Sequence, residues 1–249
     1  MPLIQDLSLS QFALVAGLAA VSAVAGGVAG YGTGALMPLV LVPLVGAEPV
    51  VPIVAISALF TNAARIFAFR RRLDMRRALI ALVAALPTCA LGAWLYTLLS
   101  GRGAAIVIGT TLIATVPLRR LLKRSGHRLG EKGYAAGAAV WGVVMGGSTG
   151  AGIILISLLM ATGLEGAAVI ATDSMVSVVI GVIKFSVFGL AGIITPLVLV
   201  IGLLIGLIGF FCTFLARLVV ERMPVHVHAI ILDGVVLVGA GMMIYGALR

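Results

Sequence analysis

Two stretches of the sequence, GGVAGYGTG at residues 26–34 and GVVMGGSTG at residues 142–150, each carry a glycine at every fourth position and end on Thr-Gly. After a slip of one residue, further identical residues continue in the same order along the two halves of the chain. They pair Gly46 with Gly163, Glu48 with Glu165, Ser57 with Ser174, Leu73 with Leu190 and Gly92 with Gly209. The order of these matches predicts a two-fold internal repeat.

The composition around these stretches is that of a membrane protein. The chain has 249 residues, of which 62% are hydrophobic and only 10% are charged, against about 25% in an ordinary soluble domain. The mean hydropathy is +1.26. These values exclude a soluble enzyme, a nucleic-acid-binding domain and a disordered chain. The basic residues behind the net charge of +9 lie in short loops between apolar segments, which indicates membrane orientation.

The apolar runs between charges and turns predict ten helical segments. Their ranges are 11–31, 33–46, 50–69, 78–99, 103–121, 134–149, 150–163, 167–187, 194–217 and 225–247. The runs are continuous and do not alternate with polar residues, which excludes the strands of a β-barrel. The second and seventh segments are too short to span a bilayer and are typical of half-helices or re-entrant segments. The expected fold class is therefore an all-α polytopic membrane protein.

Basic residues predict the orientation of these segments. They concentrate in loop 70–77, in loop 119–133 and at Arg217 and Arg222, which places these loops in the cytoplasm and both termini in the periplasm. We expect a first repeat over residues 1–122, a basic cytoplasmic linker over 123–133 and a second repeat over 134–249. Each repeat has five segments, or three membrane crossings if each short segment forms a re-entrant hairpin with the segment before it. The number of crossings is odd in both cases. The second repeat is thus inverted, as in many secondary transporters.

Each repeat contains a glycine-rich break that allows two interpretations. Glycines at four-residue spacing let helices pack closely. Alternatively, the chain interrupts a helix there, and the N-terminus of the next half-helix binds an anion near the bilayer midplane. The candidate anion-binding residues are Gly32, Thr33 and Gly34 in the first repeat and Ser148, Thr149 and Gly150 in the second.

The third segment of each repeat carries polar residues along one helical face. In the first repeat this face carries Ser57, Thr61 and Arg65, and Asn62 follows Thr61. In the second repeat it carries Asp173, Ser177, Gly181 and Lys184, and Ser174 is the counterpart of Ser57. Such a stripe indicates a water-filled cavity or a partner helix. Arg65 and Lys184 either reach back to the membrane interface or attract the anion from opposite sides.

Two acidic residues are candidates for proton coupling. Asp173 lies roughly 9 Å inside its segment at 1.5 Å per residue, too deep for its short side chain to reach the interface. Asp233 lies in the last segment. Burial favours the protonated form of an acid, so both are candidate proton carriers. For Asp233 the alternative is a hydrogen bond or ion pair to a neighbouring helix. Glu48 and Glu165 are expected to be structural, because each precedes a helix start.

The sequence predicts neither a metal site nor a cofactor. Cys89 and Cys212 lie within apolar segments without a ligand partner at useful spacing, and the histidines are expected in loops. Neither GxSxG with a histidine nor HExxH is present, so an intramembrane enzyme is not expected.

The motifs taken together resemble the TauE/SafE family of sulfite and organosulfur anion exporters over residues 11–247. The first half carries GGVAGYGTGALMPLVLVPLVGAEP and VAISALFTNAARIFAFRRRLDMRRAL. The second carries GVVMGGSTGAGIILISLLMATGLEGAAVIATDSM, KFSVFGLAGI and LIGLIGFFCTFLARLVVERMP.

The resemblance implies a bacterial inner-membrane transporter of a small sulfur-containing anion such as sulfite, sulfoacetate, thiosulfate or another organosulfonate, driven by protons. The expected partners are this anion, protons and the lipid bilayer, and no nucleic acid. The anion itself, the direction of transport and the oligomeric state stay open. The alternatives are a passive anion channel and a membrane scaffold subunit without transport activity.

Overall fold

The computed structural model describes residues 8–29, 32–125, 128–220 and 225–248, and in these ranges it is entirely helical apart from short connections. The first five helices are α1 (Leu9–Ala29), α2 (Gly32–Val45), α3 (Val50–Phe69), α4 (Met75–Thr97) and α5 (Gly101–Ser125). The last five are α6 (Glu131–Gly147), α7 (Gly152–Ala161), α8 (Ala167–Leu190), α9 (Pro196–Val220) and α10 (Val225–Leu248). A 3-10 turn, Arg70–Arg72, follows α3.

Five of the described helices are long and apolar enough to cross a membrane. They are α3 with its 3-10 turn, α4, α5 as far as Leu118, α8, and α9 as far as Thr213. The chain is therefore a multi-pass α-helical membrane protein. The order of the helices agrees with the ten segments expected from the sequence, although α5 extends beyond residue 121 and α7 is shorter than 150–163.

Helices α6 and α7 form a hairpin whose two outer ends meet beside the basic loop. The Leu129 backbone N–H, just before α6, donates to the Ala161 carbonyl at 2.8 Å. Arg77 Nη2 donates to the Thr162 carbonyl at 2.9 Å, and Arg77 accepts a bond from Tyr134 Oη at 3.2 Å. The start of α6 and the end of α7 consequently lie on the same side of the molecule, with the break between them inside.

The larger helix contacts are preserved when the first five helices are exchanged for the last five. Helix α6 packs on α4 as α1 packs on α9, and α4 packs on α8 as α9 packs on α3. Helix α7 contacts α5 as α2 contacts α10, while α3 contacts α8 and α5 contacts α10. The turns that follow α2 and α7 also agree, because Gly46 and Gly163 adopt φ of 82° and 86°.

Glycines set the closest of these contacts. A Cβ on Gly142 or Gly146 of α6 would collide with the backbone of α4 at Ala85 or Cys89, and one on Gly92 of α4 would collide with the Val143 carbonyl. Successive contacts move four residues towards the C-terminus along both α4 and α6. The two helix axes therefore run in the same direction from the basic loop inwards. The packing interpretation therefore applies to Gly142 and Gly146.

Candidate functional site

A cavity of about 80 Å³ lies between α3 and α8, at the point where the start of α2 meets the break between α6 and α7. Room for one water needs only about 10–15 Å³ on this measure, so a small polyatomic anion fits. The predicted residues that line the cavity are Thr33, Gly34, Ser57, Thr61, Asn62, Arg65, Thr149, Gly150, Asp173, Ser177 and Lys184. Polar residues from both halves of the chain thus face one space.

The two glycine-rich breaks touch each other at this cavity. A Cβ on Gly34 would lie 3.2 Å from the backbone nitrogen of Gly150, and Gly150 adopts φ of 78°. Helix α2 begins at Gly32 and α7 at Gly152, so two helix N-termini start beside the cavity. The first N–H groups of a helix have no partner within it and carry partial positive charge, which suits an anion.

The hydroxyl of Thr149 is a further donor at the break. Thr149 is only 1% exposed, and its Oγ1 has no hydrogen-bond partner within the described part of the chain. A buried hydroxyl without a partner is rare in proteins and costs stability. Thr149 therefore has an O–H that can point to a ligand in the cavity.

The polar residues of α3 have their donors directed to their own helix. Ser57 Oγ donates to the Val54 carbonyl at 2.9 Å, and Asn62 Nδ2 donates to the Ala58 carbonyl at 2.9 Å. Thr61 Oγ1 donates to carbonyls of the preceding turn, at 3.4 Å to Ser57 and 3.3 Å to Ala58. A hydroxyl has one proton, so Ser57 and Thr61 present lone pairs to the cavity in this arrangement. The donors for an anion are concentrated at the breaks and at the cationic side chains.

Lys184 holds the C-terminal end of α6. It is 2% exposed, and its Nζ donates to the carbonyls of Met145 at 2.7 Å and Ser148 at 3.0 Å. A cation at the end of a helix satisfies carbonyls that have no partner within the helix and complements its dipole. In this geometry the side chain does not extend to the membrane interface. The side chain fixes the position of the break. Neither of the two interpretations of Lys184 from the sequence included this role.

Asp173 and Arg65 form a second charged group in the cavity. Asp173 is 4% exposed, and its Oδ1 has no hydrogen-bond partner among the described residues. Arg65 reaches the same space from α3, and the two charges are close enough to interact. A buried carboxylate is costly without a compensating cation, so Arg65 stabilises its ionised form. The cavity therefore combines two cations with one acid.

Four of the predicted residues do not line this cavity. Gly32 starts α2 next to it, and Ser148 and Ser174 are buried beside it, with Ser174 Oγ also lacking a described hydrogen-bond partner. Asp233 belongs to α10, but its side chain lies outside the part of the structure that is described. Within the described ranges, no group of three or more His, Cys, Asp or Glu residues could hold a metal ion.

The apolar wall of the cavity was not identified from the sequence. It includes Val54, Met145 and Ile180. Ile180 lies between Ser177 and Lys184 on the same face of α8, so helical periodicity could have identified it. Met145 carried no such signal, because its position depends on how α6 approaches α8.

Comparison with known proteins identifies the family of this chain. The model of the family described as sulfite exporter TauE/SafE matches residues 13–243. Neither a curated protein nor a solved structure gives a significant match. The family match extends over nearly all of the sequence and includes both glycine-rich breaks and both polar helix faces. The chain therefore belongs to the sulfite exporter TauE/SafE family, whose members are membrane transporters.

Proposed function

We propose that the protein is a secondary transporter that exports a small sulfur-containing anion, such as sulfite, sulfoacetate or a related organosulfonate, across the bacterial inner membrane with coupling to protons. The family supports a sulfur-containing anion. The observation that carries the proposal is that two helix N-termini, Arg65 and the Thr149 hydroxyl, which has no partner among the described residues, converge on one buried cavity. This combination supplies hydrogen-bond donors and positive charge for a sulfonate or sulfite group.

The arrangement of the helices supports alternating access to this cavity. We take the α6–α7 hairpin and its counterpart α1–α2 as re-entrant elements, and the two halves of the chain as inverted repeats. The symmetric helix contacts and the junction of Gly34 with Gly150 favour this interpretation. Rocking of one repeat against the other would then expose the same site to either side.

Asp173 is the proposed proton carrier. Its carboxyl group lies in the cavity with an oxygen that has no described hydrogen-bond partner, so it can accept a proton without breaking a bond to the protein. A passive anion path would gain nothing from a buried acid, which favours coupling over a channel. Asp233 is the second candidate.

Flux of labelled sulfite or sulfoacetate in proteoliposomes, with and without a pH gradient, tests the proposal. We expect accumulation that depends on the gradient and is lost in Asp173→Asn, while exchange of labelled for unlabelled anion persists. Glu131→Gln removes an exposed acid that pairs with Arg76, and it serves as the matched control with wild-type behaviour. Unchanged accumulation in Asp173→Asn would eliminate Asp173 as the coupling residue, and absence of flux for every anion would contradict the proposed function.

A further inference from the structure

The charges in the cavity determine how many protons accompany an anion. We infer that a doubly charged anion binds with one more proton in the cavity than a singly charged anion does, and that Asp173 holds this proton. The inference rests on the proposed function of this cavity as the anion site, and it gives the proton coupling a definite sign. The proton and a dianion bind together, and neither displaces the other.

The first step is the charge of the cavity without an anion. Its ionisable lining residues are Arg65, Lys184 and Asp173. When all three are ionised they sum to one positive charge, and protonation of Asp173 raises the sum to two. A singly charged anion therefore neutralises the cavity that contains ionised Asp173, and a doubly charged anion neutralises the cavity that contains protonated Asp173.

The other groups near this site do not alter the count. Tyr134 of α6 interacts electrostatically with Asp173, and Cys89 of α4 with Lys184. Both residue types are ordinarily neutral near pH 7. Asp74 and Arg77 at the start of α4 pair with each other. The sequences of α2 and α7 contain no ionisable residue, and the arginines of the 3-10 turn packed against α8 are exposed.

The second step is the cost of net charge in an enclosed site. Net charge that is closed off from water inside a bilayer is unfavourable, so the occluded state favours the combination that sums to zero. The entry of a second negative charge with the anion is therefore offset most easily by one proton. Asp173 is the acid in the cavity that can take it.

The third step is competition for Arg65. The guanidinium interacts with Asp173, and it is also the cation that a sulfonate or sulfite group can engage with two parallel hydrogen bonds. An anion that engages Arg65 weakens an interaction that favours the ionised carboxyl, and Asp173 Oδ1 has no described hydrogen bond to compensate. Anion binding then promotes protonation, and by reciprocity protonation promotes binding of a dianion.

This linkage has a consequence for transport. A cavity that holds sulfite and one extra proton has the same total charge and the same number of protons as a cavity that holds hydrogen sulfite without an extra proton. A dianion moves with a proton and a monoanion moves alone, so each cycle moves one net negative charge. An inside-negative membrane potential drives such a charge outwards, which makes the linkage compatible with export.

Calorimetric titration of the purified full-length protein tests the inference, because repeating it in buffers of different ionisation enthalpy counts the protons bound. The probes are sulfoacetate, a dianion at neutral pH, and methanesulfonate, a monoanion. We expect sulfoacetate to bind with about one proton more than methanesulfonate. The affinity ratio of sulfoacetate to methanesulfonate should then fall by about tenfold for each unit rise in pH.

Asp173→Asn distinguishes this assignment from other sources of the proton. In this variant the difference in proton uptake between the two probes should disappear and their affinity ratio should become independent of pH, while Glu131→Gln keeps both. Equal proton uptake with the two probes in the wild type would overturn the inference, as would a difference that survives in Asp173→Asn. Failure of both probes to bind would instead overturn the proposed anion site.

Discussion

At the scale of single residues, the two cations of the cavity have different partners. Lys184 donates to the carbonyls of Met145 and Ser148 and so holds the end of α6. Arg65 lies across the cavity and interacts with Asp173. A cation bound to backbone carbonyls acts on the position of the break, whereas a cation facing an acid can transfer its interaction to an incoming anion. We therefore propose that Lys184 is a positioning residue and Arg65 a binding residue.

Substitution of the two cations should separate these roles. Arg65→Gln should raise the apparent KM for sulfoacetate by about tenfold to a hundredfold, because it removes a charged donor worth about 1.5–3 kcal/mol. Lys184→Met should lower the free energy of unfolding by about 1–3 kcal/mol, since two buried carbonyls lose their partner. Transport kinetics in proteoliposomes and thermal unfolding in detergent measure the two effects. Arg71→Gln, at an exposed arginine outside the cavity, is the control, and equal loss of stability in Arg65→Gln and Lys184→Met would contradict the separation.

The glycines at the two breaks should be sensitive for a reason other than helix packing. Gly34→Leu and Gly150→Leu place a side chain where the two breaks meet, and Gly150 also requires a left-handed φ that costs about 1–3 kcal/mol for other residues. We expect each to reduce anion flux by tenfold or more and to reduce the amount of protein in the membrane far less. Gly17→Leu is the control, because a Cβ at Gly17 meets nothing within 4 Å. Flux that falls only in proportion to the amount of protein would leave helix packing as the sole role.

At the scale of helices, apolar runs and charges predicted the order of the elements but not all of their ends. Helix α5 continues to Ser125, because the basic residues after 118 are compatible with a helix even though they end the apolar run. Helix α7 starts only at Gly152, because the preceding residues form the break. There Trp141 Nε1 donates to the Ala151 carbonyl at 2.9 Å. The sequence pattern does not predict that the two parts of the chain joined by this bond lie close together.

The start of α4 depends on a cap that responds to pH. Asp74 accepts a hydrogen bond from the Arg77 backbone N–H at 2.9 Å and pairs with the Arg77 guanidinium. Partial burial alone would raise the pKa of Asp74, but these bonds outweigh it and hold the pKa below its ordinary value. The ionised carboxylate therefore stabilises the folded state above the ordinary carboxyl pKa. This contribution is lost as the pH falls through the lowered pKa of the folded state.

Asp74→Ala should lower the free energy of unfolding at neutral pH by about 1 kcal/mol, the usual value for the loss of an N-cap. The difference from wild type should shrink in acid, once the wild-type carboxyl is protonated. Thermal unfolding in detergent over a pH series measures this, with Glu131→Ala as the control for an exposed acid on the same side. A difference that stays constant down to strongly acidic pH would show that Asp74 acts without its charge.

At the scale of the whole molecule, hydrogen bonds near the helix ends distinguish two sides. The start of α4, the start of α6 and the end of α7 meet at Arg77. On the opposite side, Tyr96 Oη at the end of α4 donates to the Ala47 carbonyl at 2.8 Å. Glu48, Gly101 and Thr195 line a common pocket there. The polar helix faces were predictable from periodicity, whereas their meeting with both breaks in one cavity was not, because it depends on the contact of α3 with α8.

The assignment of these two sides predicts on which side of the membrane the C-terminus lies. Helix α9 starts on the side of Tyr96 and is long enough to cross to the side of Arg77, so α10 returns towards the side of Tyr96. By the positive-inside rule, the arginines of loop 70–77 predict that the side of Arg77 is cytoplasmic, and the C-terminus is then expected in the periplasm. Topology reporters fused after Arg249 and within loop 119–133 should therefore report opposite sides. A reporter inserted at Ser100, between α4 and α5, should agree with the C-terminal one. If the C-terminal reporter is cytoplasmic while the reporter at Ser100 is periplasmic, the last helices cross an odd number of times after α8, and the two halves are not inverted copies.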